Sequence, residues 1–229
     1  MNLLKASEAA DLSIQKFGGT ARDKKAFLLV MEFLGQHPER LSMKSKLIDQ
    51  ESLEYYLKFS NRFFQTRYKV EGPKPPATIP DTMVSYILEV YFDYPGVDNP
   101  RISKEHQHSM AAENMVGSLL ERYIGTILED HGWAWCSGDF IKAVDMVKKN
   151  PDGTWLLLQV KNRDNTENSS SSAIRSGTII KKWFRSYSKK SRTNWETFPD
   201  TETVHLLSEE GFKEFVKNYL LNAKSIKFR

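Results

Sequence analysis

Phe140-Ile141-Lys142-Ala143-Val144-Asp145-Met146-Val147, followed by Asn150-Pro151-Asp152-Gly153 and then Trp155-Leu156-Leu157-Leu158-Gln159-Val160-Lys161, is the stretch that sets the architecture. Two short runs of bulky or β-branched apolar residues flank a strong turn signal, the pattern of a β-hairpin. Upstream, apolar residues at 116, 119, 120, 123, 124, 127 and 128 follow the helical i, i+3, i+4, i+7 period, and Gly132 ends the helix. Downstream, residues 173–187 read as a helix or strand presenting basic side chains, Thr203 to Leu207 as a strand, and Ser208 as the cap of a helix through Leu221. The order helix, hairpin, basic element, strand, helix indicates an α/β core.

Residues 1–70 read as an N-terminal helical region, with Phe27, Leu28, Val30, Met31, Phe33 and Leu34 at helical spacing and nothing catalytic in view. Residues 71–80 hold four prolines, each of which restricts its predecessor to extended backbone, so the segment is expected to be a stiff connector. The remainder, 81–229, is expected to form one further domain. It opens with a helix capped by Asp81 and running to about Phe92, and Pro95 to Pro100 then form a loop.

Composition narrows the function classes. A chain of 229 residues with 40% hydrophobic and 12% aromatic content can bury a core without disulfides, and its single cysteine, Cys136, excludes both an internal disulfide framework and a cysteine-rich zinc site. Cys136 itself is expected to be a buried core thiol. There is no signal-like leader and no apolar run near the ~20 residues of a membrane span, so a cytoplasmic protein without a membrane partner is expected. The net charge of +4 is unevenly placed. Residues 168–195 contain no acid but seven bases, Arg175, Lys181, Lys182, Arg185, Lys189, Lys190 and Arg192, interleaved with Trp183, Phe184, Tyr187 and Trp195. That points to a polyanion, most naturally a nucleic-acid backbone. The tryptophans read more readily as packing than as base-stacking platforms.

On the hairpin, polar side chains interrupt apolar strands. Gln159 and Lys161 are two apart and share one face of a strand, and in-register pairing lets Asp145 converge on them. A carboxylate, a second oxygen ligand and a lysine at one point suit phosphodiester hydrolysis with Mg²⁺. His106-x-His108, placed in a loop by this reading, has ligand-like spacing but no accompanying cysteine.

These residues resemble the signature of the PD-(D/E)XK nuclease superfamily, an Asp near one strand and Asp/Glu-x-Lys on the next, here Asp145, Gln159 and Lys161. Gln159 departs from the pattern, since an amide can ligate a hard cation but carries no charge. Glu121, in Gly117-Ser118-Leu119-Leu120-Glu121, resembles the glutamate of the helix that precedes the metal strand and is the candidate to replace it. Glu113, on the same helix row, reads as a first-turn residue favoured by the helix dipole, and Asp139 as a turn residue; both are weaker alternatives. Asp23-Lys24-Lys25 also satisfies D-x-K but lacks the hairpin. The resemblance spans about 109–221. It implies a restriction-endonuclease-like core, a mixed central sheet flanked by helices, with Asp145, Gln159, Lys161 and Glu121 catalytic and Asp145, Gln159 and Val160 holding Mg²⁺.

Past Lys161, Asn162, Arg163, Asn165, Ser170 and Arg175 offer amides, guanidinia and hydroxyls for bases and phosphates. This run through Thr178 resembles small type II restriction endonucleases, more narrowly the SinI and AvaII type that cuts GGWCC, which implies a homodimer on double-stranded DNA. The first 108 residues add nothing to that likeness. Two other readings stay open at this point: a non-catalytic nucleic-acid-binding protein, and a repair or junction nuclease of the same fold.

Overall fold

The computed structural model describes residues 1–42, 48–165 and 177–227. The elements run α1 (Leu3–Phe17), α2 (Ala21–Gln36), α3 (Leu53–Tyr68), α4 (Thr82–Phe92), α5 (Asn99–Leu128), β1 (Trp133–Trp135), β2 (Met146–Lys149), β3 (Trp155–Arg163), β4 (Lys181–Ser186) and α6 (Glu209–Lys227). The sheet has order β1-β2-β3-β4, antiparallel across the first two pairs and parallel between β3 and β4. The expected mixed sheet with flanking helices is present, and the basic element is a strand.

Alternation along the strands explains the layering. Successive side chains point to opposite faces, so Val147, Trp155 and Leu157 pack against α1 to α3, while Met146, Leu158, Val160 and Trp183 pack against α5 and α6. A sheet covered on both faces needs nearly continuous apolar strands, and Trp-Leu-Leu-Leu meets that need. The N-terminal helices thus supply the cover for one face. Asp23 of the decoy D-x-K completes a capping box with Thr20 at the start of α2.

Several sequence expectations are corrected. The strand expected over Phe140–Val147 begins only at Met146, because Ala143 within the run adopts left-handed backbone (φ 58°) that an extended strand cannot contain, as does Asp139 just before it (φ 59°). Thr203–Leu207 is not a strand: Val204–Leu206 form a 3-10 turn, organised by the Asp200 carbonyl, which accepts the N–H groups of Thr203 and Val204 at 3.2 and 3.0 Å. Tertiary packing there overrides β-branched propensity. Within the expected Pro95–Pro100 loop, α5 already begins at Asn99, with Pro100 in its first turn where a missing N–H costs nothing. His106 and His108 accordingly lie on this helix rather than in a loop, and Glu113 is an exposed mid-helix residue rather than a first-turn one.

α5 crosses the sheet closely at Gly125, where a Cβ would meet Trp135 Cβ at 2.9 Å. Gly125→Ala is therefore expected to push α5 off β1 and cost about 1–3 kcal/mol, readable as a lowered denaturant midpoint with unchanged slope.

Candidate active site

The hairpin pairs with Met146 opposite Leu158, so its continuation sets Asp145 beside Gln159. The Asp145 N–H donates to the Leu158 carbonyl at 2.9 Å, and the Cys136 N–H donates to the Asp145 carbonyl at 2.9 Å. One step further the ladder gives way to a side chain: the Val160 N–H donates to Asp145 Oδ2 at 2.7 Å. Because N–H and C=O of one strand residue face the same edge, the Val160 carbonyl is directed to the Asp145 side as well. A carboxylate and a main-chain oxygen are thereby brought to one end of the sheet.

α5 adds the second carboxylate. Glu121 Oε2 accepts the indole N–H of Trp135 at 3.1 Å, which holds it toward β1. Glu121 and Asp145 lie largely out of solvent. Burial, and after it repulsion from Asp145, pushes the Glu121 carboxyl up to about 8, against the Trp135 hydrogen bond and the Lys161 ammonium. Burial likewise pushes Asp145 up to about 6, against the Val160 N–H and Lys161. Burial is the largest cause for both acids, and Asp145 adds to it for Glu121, so a nearby positive charge would relieve the cost of ionising them.

The structure therefore brings Glu121, Asp145, Val160 and Lys161 together, and Asp139, exposed at the rim, acts on both carboxyls. Gln159 is 2% exposed and by strand alternation shares a face with Leu157 and Lys161. Among the described residues no group of three or more His, Cys, Asp and Glu gathers to hold a metal. Two carboxylates with a carbonyl and an amide nearby make an oxygen-only set that fits Mg²⁺, which takes one or two carboxylates and keeps its waters, and does not fit zinc.

Two features escaped the sequence reading. Trp135 orients Glu121, and Arg67 of α3 ties the site's supports together. Its guanidinium pairs with Glu129 (2.8 Å to Oε2) and donates to the Trp135 carbonyl at 2.9 Å and to Ser137 Oγ at 3.2 Å. Neither has a motif; each is set by contacts more than 60 residues away in sequence or by an indole that reads as core. A cleft of about 450 Å³ opens beside Glu121, Trp135 and Asp139, with Lys69, Lys74 and Arg122 on its wall, so the N-terminal region and the connector border the site.

The candidate DNA contacts divide. Arg163, Asn165, Lys181, Lys189, Lys190 and Arg192 are exposed, although Arg192 pairs with Glu196. Arg185 is engaged internally: it forks onto Glu209 at 2.6 and 2.8 Å and donates to Asn162 Oδ1 at 3.0 Å. Lys182 reaches the Asp164 carbonyl at 3.5 Å. Ser170 and Arg175 lie outside the described residues. Trp183 and Trp195 are buried in the α5–α6 core, and Cys136 is a buried free thiol.

The model of the SinI restriction endonuclease family matches residues 13–222. The chain belongs to the SinI restriction endonuclease family. Among curated proteins it is 48% identical to the type II restriction enzyme Eco47I of Escherichia coli over 204 residues, covering 85% of this chain and 86% of that one. It is 46% identical to the type II restriction enzyme SinI of Salmonella infantis over 224 residues, 94% and 96% of the two chains. Membership corrects the expectation that the first 108 residues add nothing to the likeness: the SinI family unit starts at residue 13 and takes in α2 and α3, which cover the sheet. No helix among the described residues is long and apolar enough to cross a membrane.

Proposed function

We propose that this member of the SinI family is a Mg²⁺-dependent, PD-(D/E)XK-type endonuclease that cuts double-stranded DNA as a homodimer at a short near-palindromic site, GGWCC. The observation that carries the reading is the pair Glu121 and Asp145, two carboxyls whose pKa values are raised by burial and, for Glu121, by Asp145, with Lys161 beside them at the end of β3. Asp145, Glu121 and the Val160 carbonyl would hold Mg²⁺, with the Gln159 amide in support. When bound, the ion would supply activation of water and neutralisation of phosphate charge. Lys161 then positions the attacking water and offsets charge that builds on the phosphate. Trp135 keeps Glu121 from turning away, and the Val160 N–H fixes the Asp145 carboxylate. Glu121 restores the negative charge that Gln159 lacks relative to the usual superfamily pattern.

The exposed bases of β4 and the following loop, Lys181, Lys189 and Lys190, with Arg163 and Asn165 past β3, are the surface that would grip DNA. A near-palindrome presents two related half-sites, which a two-fold dimer matches.

Digestion of phage DNA tests the reading. Discrete fragments are expected only with Mg²⁺, their ends mapping to GGWCC, and Lys161→Ala is expected to leave the DNA bound but uncut, with a rate lower by roughly 10²–10⁴-fold. DNA that stays intact with Mg²⁺ would refute it, and discrete ends elsewhere would refute the site.

A further inference from the structure

α4 is amphipathic, and it is turned inside out. Met83, Tyr86, Ile87, Val90 and Tyr91 fall at i, i+3, i+4, i+7 and i+8, one apolar stripe, yet each is between 51% and 77% exposed. None of the helix's residues is buried; the half-buried ones are Ser85, Leu88 and Glu89, on the opposite side. The Glu89 carboxylate pairs with the Asn99 amide, tying that side to the start of α5. An 11-residue helix is marginal in water unless its apolar face is packed. The stripe requires cover that the described residues of this chain do not supply.

We infer that the α4 stripe, with the adjoining N-terminal half of α5, is the surface through which two copies of this chain pair. The inference deepens the homodimeric nuclease reading by naming the surface. Area supports it: the exposed parts of Tyr86 and Tyr91 alone come to roughly 200–340 Å². Met83, Ile87 and Val90 of the same stripe, each more than half exposed, carry the patch past the few hundred Å² of ordinary monomers and toward the ~800 Å² per partner of a stable interface.

Charge selects the occupant. Residues 79–98 contain Asp81, Glu89, Asp93 and Asp98 and no lysine or arginine, which disfavours a DNA backbone or an anionic lipid surface. In the first turns of α5 Arg101 already pairs with Glu105 of its own copy at 3.0 Å, while Lys104 is exposed, so a two-fold pair can set an α4 acid of one copy against Lys104 of the other. α5 also links this surface to the chemistry. Glu121 lies about 25–30 Å along the same helix from Ile102, so pairing through α4 would set the separation of the two active sites.

Sedimentation in EDTA without DNA tests the surface independently of cleavage. The wild-type protein is expected to be a dimer at micromolar concentration. Tyr91→Glu and Val90→Glu are expected to raise the dissociation constant by at least ~100-fold, since each charge enters the interface twice. Leu4→Glu, at an exposed apolar residue of α1, is expected to change nothing. On supercoiled plasmid with Mg²⁺ the α4 variants should accumulate nicked circles where wild type yields linear DNA. Should a variant fail to fold, wild-type hydrogen exchange decides: protection of 82–92 that rises with protein concentration is expected, and its absence overturns the inference. A wild-type monomer, or a dimer that survives both charges, also overturns it. A dimer broken by them in a protein that never cuts DNA leaves the surface standing and refutes the nuclease reading.

Discussion

Asp145→Asn is expected to lower cleavage by roughly 10²–10⁴-fold while leaving the metal-free protein as stable as wild type or more so. The amide keeps the shape of the side chain and still accepts the Val160 N–H that Asp145 Oδ2 takes at 2.7 Å. It removes the charge that would draw the cation, and it removes the repulsion that contributes to raising Glu121. A carboxyl whose folded-state pKa exceeds its unfolded value favours the fold fully only below about pH 4. That contribution is lost as pH rises through about 6 for Asp145 and about 8 for Glu121. The metal-free wild type should therefore lose stability across this window, and Asp145→Asn should remove the lower part of the loss, worth on the order of 1–3 kcal/mol near neutral pH. Calorimetry in EDTA from pH 4 to 8, beside plasmid cleavage, reads both effects. Undiminished cleavage would remove Asp145 from the chemistry, and a markedly lowered Tm would make it a structural residue.

Arg67→Ala is expected to destabilise the fold by about 3–5 kcal/mol, because a buried ion pair broken from one side leaves its partner charged and unpaired. The Arg67 side chain is 7% exposed and that of Glu129 1%. The guanidinium also meets Asp23 Oδ1 at 3.3 Å and stacks over Phe63, its carbon 4.1 Å from the ring centre. For a chain of this size the loss corresponds to a fall in Tm of roughly 6–20 °C. Arg67→Lys should recover only part of it, since an ammonium cannot reproduce the two-pronged contact. Arg67→Met combined with Glu129→Gln should be milder than Arg67→Ala, because the amide oxygen of the substituted side chain can still accept the Trp135 N–H that Glu129 Oε1 takes at 3.0 Å. Equal losses in the single and double variants would show that the packing of Arg67, rather than its charge, holds α3 to β1.

Local chemistry made part of this molecule legible in advance. Asn150-Pro151-Asp152-Gly153 turns the chain wherever it sits, and apolar periods of 3.6 and 2 placed the C-terminal part of α5 and the hairpin. The two-residue spacing of Gln159 and Lys161 set both on one strand face. Propensity misled where distant contacts intervened. Trp133 and Lys148 hold the Asp200 side chain, whose carbonyl then winds the following residues into a turn despite the strand-like composition of Val204–Leu206, and left-handed Ala143 cuts short the first hairpin strand.

The α/β order, the Asp145, Gln159 and Lys161 spacing and the run of bases from Arg175 to Arg192 each depend on neighbours along the chain, so the residues alone were enough to reveal them. Contacts across the fold were needed to show that Glu121 is held by Trp135 beside Asp145, and that Arg185 is occupied by Glu209 while Lys189 and Lys190 are left exposed. They were needed as well to show that the α4 stripe faces outward. Burial and pairing are properties of groups that meet across the fold, and helical or strand spacing says which side chains share a face, not what that face meets.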